Sequence, residues 1–435
     1  MHKVEVEMNN LIGENTYHSI LSNGLNVYIC KKEGFNKKIG MFGTKYGSVD
    51  SEFIDIKTGN RIKVPDGIAH FLEHKLFEQE NGTNSLDVLT ALGVNANAYT
   101  TNDHTAYLFE STDNFYPAMD ELMDYVQHPY FTDENVKKEQ GIIAQEIMMG
   151  EDDPNYMVYF NALKAMYKNN NVRVDIAGTT SSIMDITKEL LYTCYDTFYN
   201  LSNMFFVVVG DVDVDSTLNL IDDTLKLYVK SDENKNVAGN VERFYLDEPK
   251  QINQKQIVQK MDIFMPQVCL GYKLNIVKGK EIIKRAIIAD IVSKMYFSKL
   301  SNFYEVEYNK KILNDEVIIS YEGSNTFSHI MVLAESTDVE LLTSDFLEYI
   351  EKIKKSEIDE VLFNEVKKSK IGTTIMYNDS LSSCYRRIID AILADVDIYS
   401  DVNIVENITT NDVKEFLQLF DENYMCTSII DRINK

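Results

Sequence analysis

The sequence predicts an α+β protein built from two homologous halves, each a mainly antiparallel sheet covered by helices. Three observations carry this. Stretches of period-two apolar alternation and stretches with apolar residues at every third or fourth position succeed one another as strands, helices, a strand, then helices and a strand again. The composition breaks at KSDENKNVAGNVER (Lys230–Arg243), which is polar and aperiodic and reads as a linker. The chain after the break loosely repeats the chain before it. NITTNDVKEFLQLF (Asn407–Phe420) echoes DITKELLYTCYDTFY (Asp185–Tyr199), and EIDEVLFNEVKKSKIGTTI (Glu357–Ile375) echoes the helical stretch from Asp133 to Met149. The expected domains are residues 1–232 and 243–435, related by a diverged duplication.

The first half opens with strands. YHSILSNGLNVYICKK (Tyr17–Lys32) holds two of them around Asn23-Gly24, a hairpin turn signal. IGMFGTKYGSVD (Ile39–Asp50) reads as the next strand. EFIDIKTGNRIKVPDG is a loop closed by Pro65 and Gly67, with Asp66 placed to cap the next helix. That helix lies in PDGIAHFLEHKLFE (Pro65–Glu78). A second, TNSLDVLTALGV (Thr83–Val94), ends near Gly93. NANAYTTNDHTAYLFEST (Asn95–Thr112) returns to strand alternation. DNFYPAMDELMDYVQHPYF is a helix, and DENVKKEQGIIAQEIMMGEDD (Asp133–Asp153) is a longer one that Asp133 is placed to cap. MFFVVVG (Met204–Gly210) is an apolar run of strand length.

At 435 residues the chain exceeds what one core serves. A net charge of −25 argues against nucleic acid as a partner, because phosphate binding needs clustered Lys and Arg. It favours solubility and attraction for basic peptides. The opening MHKVEVEMNN lacks the apolar region of an export signal, and no apolar run reaches bilayer length, so no membrane partner is expected. Five scattered cysteines, an odd number, argue against a disulfide framework and a cysteine zinc site. They suit a reducing compartment, and a cytoplasmic location is the expectation.

The chemistry concentrates in the first of these helices. Residues four apart share a helix face, so His70 and His74 can grip one metal ion, with Glu73 beside them. Neutral imidazoles suit Zn²⁺, and a catalytic zinc takes three protein ligands and a water. A carboxylate next to the zinc but not bound to it can take the water's proton. The pattern H-x-x-E-H is the inverted form of the H-E-x-x-H zinc protease signature. Ile68, Phe71, Leu72, Leu76 and Phe77 spread around the helix and predict its burial. A buried Glu between two histidines is costly unless something pairs with it, and a metal answers that cost. The third ligand should be a carboxylate on another rigid element. Glu139 and Glu146 lie on one stripe of a helix, about 10 Å apart. One would bind zinc and the other orient a histidine or a water; periodicity leaves open which.

HFLEHKLFE, then NANAYTTNDHTAY, then KKEQGIIAQEI resemble the insulinase/pitrilysin family of zinc metallopeptidases. SNGLNVYI, IAGTTSSIMDIT and NMFFVVVGDVD also resemble family stretches, and the match runs in order along the whole chain. It is nearest the shorter bacterial two-chain type that is similar to mitochondrial processing peptidase. The resemblance implies His70, His74 and Glu146 as zinc ligands, Glu73 as general base and Glu139 as the supporting carboxylate. It implies that the strand carrying Asn97, Ala98 and Thr100 pairs with an extended substrate. It also implies that one chain forms half of a clamshell chamber, completed by a second chain. Family members usually carry an Arg and a Tyr in the second half that hold the substrate or its oxyanion. The corresponding stretch, YEVEYNKKILNDEV (Tyr304–Val317), has Tyr308 and Asn314 there instead. This departure leaves the oxyanion donors to a partner chain, or to Lys310 or Lys311.

Two functions are thereby expected. The first is a zinc endopeptidase that cleaves small unstructured peptides or leader segments in an enclosed chamber. It would act as a homodimer or as a heterodimer with a motif-less homologue. Some bacterial pairs of this kind mature ribosomally made peptides such as bacteriocins. The second is a non-catalytic peptide-binding or assembly subunit. Members of that kind typically lose part of the zinc motif, which is intact here.

Overall fold

The computed structural model describes residues 2–9, 11–228 and 241–433. The first part of the chain forms strands β1 (Glu5–Asn9), β2 (Glu14–Ile20), β3 (Asn26–Lys31) and β4 (Lys38–Thr44), then a small hairpin of β5 (Glu52–Ile54) and β6 (Arg61–Lys63). Helices α1 (Ile68–Lys75) and α2 (Ser85–Ala91) lead to β7 (Asn95–Thr100) and β8 (Thr105–Ser111). Helices α3 (Phe115–Gln127), α4 (Asp133–Glu151), α5 (Pro154–Met166) and α6 (Lys188–Phe198) precede β9 (Met204–Gly210) and α7 (Val214–Tyr228). The second part runs β10 (Gln256–Met261), β11 (Gln267–Lys273), α8 (Lys280–Tyr296), α9 (Asn302–Asn309), β12 (Ile318–Gly323) and β13 (Ser328–Glu335). It continues through α10 (Val339–Lys355), α11 (Glu360–Met376), α12 (Leu381–Ala394), α13 (Ser400–Asn407) and α14 (Thr410–Leu417) to β14 (Met425–Arg432).

These strands form two large sheets, in the orders β1-β2-β3-β9-β4-β8-β7 and β10-β14-β11-β13-β12. The last five strands of the first sheet correspond one to one with the second. Each sheet contains one parallel pair, β3 with β9 and β10 with β14, and is otherwise antiparallel. The repeated connectivity is the structural form of the sequence echo. Helix α8 stands where α1 stands in the first half and carries no histidine. The second half's His329 is buried on β13, 3.0 Å from the Tyr167 hydroxyl.

β9 explains how the layers stack. Its side chains alternate faces, and all seven residues are buried, so the sheet is covered on both sides. Phe206 and Val208 join the core under α1, α3 and α6. Phe205, Val207 and Val209 pack against Leu381, Tyr385, Ile388 and Ile389 of α12. The mirror arrangement holds in the second sheet, where Cys269, Met331 and Ile430 pack against Val158, Leu163 and Met166 of α5. Each half therefore lends one helix to the other's sheet. Burying such apolar side chains contributes roughly 1.5–3 kcal/mol each, so the halves are held together by core rather than by a wet seam. The expected linker, Lys230–Arg243, falls largely outside the described residues. Its last residue, Arg243, bridges to Phe53 and sits 3.1 Å from Asp50 Oδ1. Among the described residues no helix is long and apolar enough to cross a membrane.

The entry to α1 differs from the sequence expectation. Asp66 does not cap it; the N-cap is Gly67, at φ 92°, with no side-chain cap. The Asp66 side chain instead accepts from Asn171 Nδ2 at 3.1 Å, and its carbonyl accepts from Ser182 Oγ at 2.7 Å. A Cβ at Gly67 would collide with the Ala177 carbonyl, and one at Gly178 with the Asp66 carbonyl. Two left-handed glycines thus let the chain around 177–178 press against the start of the helix. Gly67→Ala should destabilise the fold by about 1–3 kcal/mol, measured by urea denaturation. An unchanged midpoint would contradict this role.

Candidate metal centre

Helix α1 buries Ile68, Ala69, Phe71 and Leu72 in the first core, which fixes its rotation and leaves His70 and His74 on the side facing α4. α4 begins in a capping box between Thr132 and Asn135, so the expected cap Asp133 lies one residue inside the helix. There its charge faces the helix N-terminus and pairs with Lys188 at 2.6 Å. Val136, Ile143 and Ile147 are buried and anchor α4, which brings both Glu139 and Glu146 to α1.

The two carboxylates meet the histidines differently. Glu146 Oε1 lies 3.6 Å from His70 Nε2, and Oε2 lies 3.7 Å from His74 Nε2. Both separations are too long for hydrogen bonds. Donors held about 2.0–2.1 Å from a tetrahedral ion stand about 3.4 Å apart, so the spacing fits a shared cation. All three donors lie within 4.8 Å of one another. Glu139 instead lies 3.0 Å from Nδ1 of His74, on the far side of the ring. The Glu146 side chain is 50% exposed, so this side of the cluster opens to solvent.

Burial, reinforced by the nearby His74, pushes the His70 imidazole down to about 3. It is therefore neutral, the state in which imidazole binds metal. Its Nδ1 is buried without a hydrogen-bond partner. Burial also acts against a charged His74, but the Glu139 bond and the surrounding carboxylates outweigh it and raise its pKa. Burial likewise opposes ionised Glu139, yet the His74 bond and the Lys75 charge hold its carboxyl low.

Glu73 is buried on the same helix. Its Oε2 accepts a 2.6 Å hydrogen bond from Thr100 Oγ1. Burial raises its pKa, and the Thr100 bond opposes that rise. Thr100 ends β7, and among the described residues β7 pairs only with β8, so its outer edge is unpaired. On that edge the Ala98 N–H is held by Asn97 Oδ1 at 2.9 Å. Sequence reasoning placed Thr100 on this strand but not its bond to Glu73. It also passed over Lys75, which is fully buried, 2.7 Å from Glu78 Oε2 and 3.4 Å from Glu139 Oε2. A lysine inside an apolar helix was the available signal. In the second half, Tyr308 is half exposed on α9, and Asn314 Nδ2 reaches Met265 Sδ at 3.7 Å. Lys310 is held by Glu307 at 3.0 Å and Asp345 at 2.7 Å.

The chain is 36% identical over 408 residues to the Bacillus subtilis protein described as the zinc protease YmfH, covering 93% of this chain and 94% of that one. It belongs to the insulinase family of peptidases. The family's insulinase (peptidase family M16) profile matches residues 50–180, which contain α1, β7 and α4. The profile described as the peptidase M16 inactive domain matches residues 185–370. A solved M16-like peptidase from Alicyclobacillus acidocaldarius superposes with a TM-score of 0.89 at 31% identity, over 97% of this chain and 99% of that one. Pitrilysin shares the fold at a TM-score of 0.75 and 15% identity; all of this chain matches 47% of it. This chain is thus an M16 chain of about half pitrilysin's length, with the two-sheet α+β fold of the family.

Proposed function

We propose that this chain is a zinc endopeptidase that cuts small unstructured peptides or leader segments, with His70, His74 and Glu146 holding the metal. The observation that carries this reading is Glu146 spanning both imidazole Nε2 atoms at chelating rather than hydrogen-bonding distance. When bound there, zinc acidifies water and polarises the scissile carbonyl. The chain's own residues do the rest. Glu139 fixes the His74 ring by its bond to Nδ1. Thr100 orients Glu73 through Oε2 and leaves Oε1 to take a proton from the attacking water and pass it to the leaving amine. Asn97 and Ala98 offer the β7 edge to an extended peptide, which displaces the Asn97 side chain from the Ala98 N–H as it adds a strand.

Thr100→Val keeps shape but removes the hydrogen bond to a buried carboxylate, an interaction of about 1.5–3 kcal/mol. kcat should fall by about 10- to 100-fold with zinc content unchanged. An unaltered kcat would rule out the orienting role.

The excess of acidic residues, a net charge of −25, favours basic peptides. A single chain matches half of pitrilysin in length, and a second chain would wall the site and exclude bulk water. The second half lacks the expected Arg and Tyr, so a homodimer would double that deficit, and a heterodimer with a motif-less homologue ranks first. Its place is the cytoplasm, and peptide maturation of the bacteriocin kind is one such task. The experiment is cleavage of a basic unstructured peptide by the zinc-loaded chain alone and with its candidate partner. Activity that rises with added partner is expected. Full activity from a strictly monomeric preparation would contradict the two-chain chamber. A chain that takes up no zinc when zinc is supplied and never cleaves would favour the binding-subunit reading.

A further inference from the structure

A second three-donor cluster lies where the two halves exchange structure. Glu14 on β2, Cys30 on β3 and Cys384 on α12 place a carboxylate oxygen and two Sγ atoms within 4.8 Å of one another. The cysteines are 2% and 3% exposed. A divalent cation is a poor fit. The Lys32 ammonium already engages Glu14 and donates to the Asn378 carbonyl. Arg387, one turn along α12 from Cys384, donates to Asn378 Oδ1 and pairs with Asp401 at 2.9 Å. Two fixed cations beside a pair of thiols favour a thiolate instead.

We propose that Cys30 and Cys384 are an oxidisable dithiol whose disulfide ties the second half's α12 to the first half's sheet. The two thiols are unlike. Cys30 Sγ donates to Glu14 Oε2 at 3.9 Å and Cys384 Sγ to the Asn378 carbonyl at 3.5 Å. The adjacent Cys30 thiol, with the charges of Lys32 and Arg387, pulls the Cys384 thiol down to about 6 against its burial. Cys30 is pushed up by Cys384 and by burial, so it keeps its proton. Hydrogen peroxide supplies the oxidant. The Cys384 thiolate attacks it, an S–O bond forms, the O–O bond breaks, and the leaving hydroxide becomes water on protonation. Cys30 Sγ then attacks Cys384 Sγ; the S–S bond forms, the S–O bond breaks, and a second water carries away the Cys30 proton. Two thiols and one peroxide give one disulfide and two waters. Arg387, one turn along α12 from Cys384, lines a cavity of about 840 Å³ between the halves. The sulfurs, within 4.8 Å of one another here, close to about 2.05 Å in the disulfide.

The chain carries its own control. Cys269 and Cys426 pack in one core on the second sheet, and burial pushes both thiols up. The test treats the full-length chain with a small excess of hydrogen peroxide, alkylates remaining thiols and maps unreduced peptides by mass spectrometry. The expected product is a Cys30–Cys384 cross-link, about 2 Da lighter than its two thiol peptides. It forms at least about tenfold faster than any oxidation of Cys269 or Cys426. Reductant reverses it, the oxidised chain melts at a higher temperature, and Cys384→Ser abolishes the link. Alkylation of both cysteines without a link, or earlier oxidation of Cys269 and Cys426, overturns the proposal. The wild-type map decides this even if the serine variant does not fold.

Discussion

Glu73→Gln should lower peptide cleavage by about 10² to 10⁴ while zinc content and melting temperature stay near those of the unaltered chain. Glutamine has the size of glutamate and can still receive the Thr100 hydrogen bond through its carbonyl. Its amide cannot take a proton from water, so only the proton transfer is removed. Glu73 makes no short contact with the three candidate ligands, which is why metal should be kept. The check is kcat and zinc content on the same preparation. An active Glu73→Gln enzyme would remove Glu73 from the mechanism.

Glu146→Gln and Glu139→Gln should separate by metal affinity. A partner that only orients a ligand typically contributes about 10- to 100-fold to affinity. That is the loss expected for Glu139→Gln, which weakens the hold on His74 Nδ1. It also leaves Lys75, buried with no exposed side chain, with Glu78 as its remaining carboxylate, so this variant should be less stable as well. Glu146→Gln removes an anionic donor from the ion itself and should lose more zinc, with little change in stability, because Glu146 is half exposed. Competition with a metal-sensitive dye measures both. The reverse order of affinities would mean that the two carboxylates have been assigned the wrong way round.

Much of the fold was legible because local patterns agree with tertiary structure. The Asn23-Gly24 turn, the alternation in 95–112 and the apolar run of β9 each mark an element. The echo of α6 in α14 and of α4 in α11 reflects a real repetition of strand order. The exchange of α5 and α12 left no sequence signal. A helix with an apolar face reads the same whichever sheet receives it. The caps went astray for local reasons. Asp66 loses to a glycine that a close backbone approach demands, and Asp133 to a threonine one residue earlier. At the site, spacing brought His70, Glu73 and His74 onto one helix turn, and Glu139 and Glu146 onto one stripe. It does not tell which carboxylate meets which ring nitrogen, because that depends on how α1 and α4 cross. Nor does it show that Thr100, at the end of a strand, turns its hydroxyl onto Glu73.

Among the described residues two clusters offer three metal donors each, one of imidazoles and a carboxylate, the other of two thiols and a carboxylate. Zinc-edge X-ray absorption on the chain loaded with one equivalent of zinc distinguishes them directly. Ligands at His70, His74 and Glu146 predict only nitrogen and oxygen neighbours at about 2.0–2.1 Å, with the outer-shell scattering of two imidazoles. Sulfur neighbours at about 2.3 Å, or no tightly bound zinc, would contradict the assignment of the metal to the α1–α4 site.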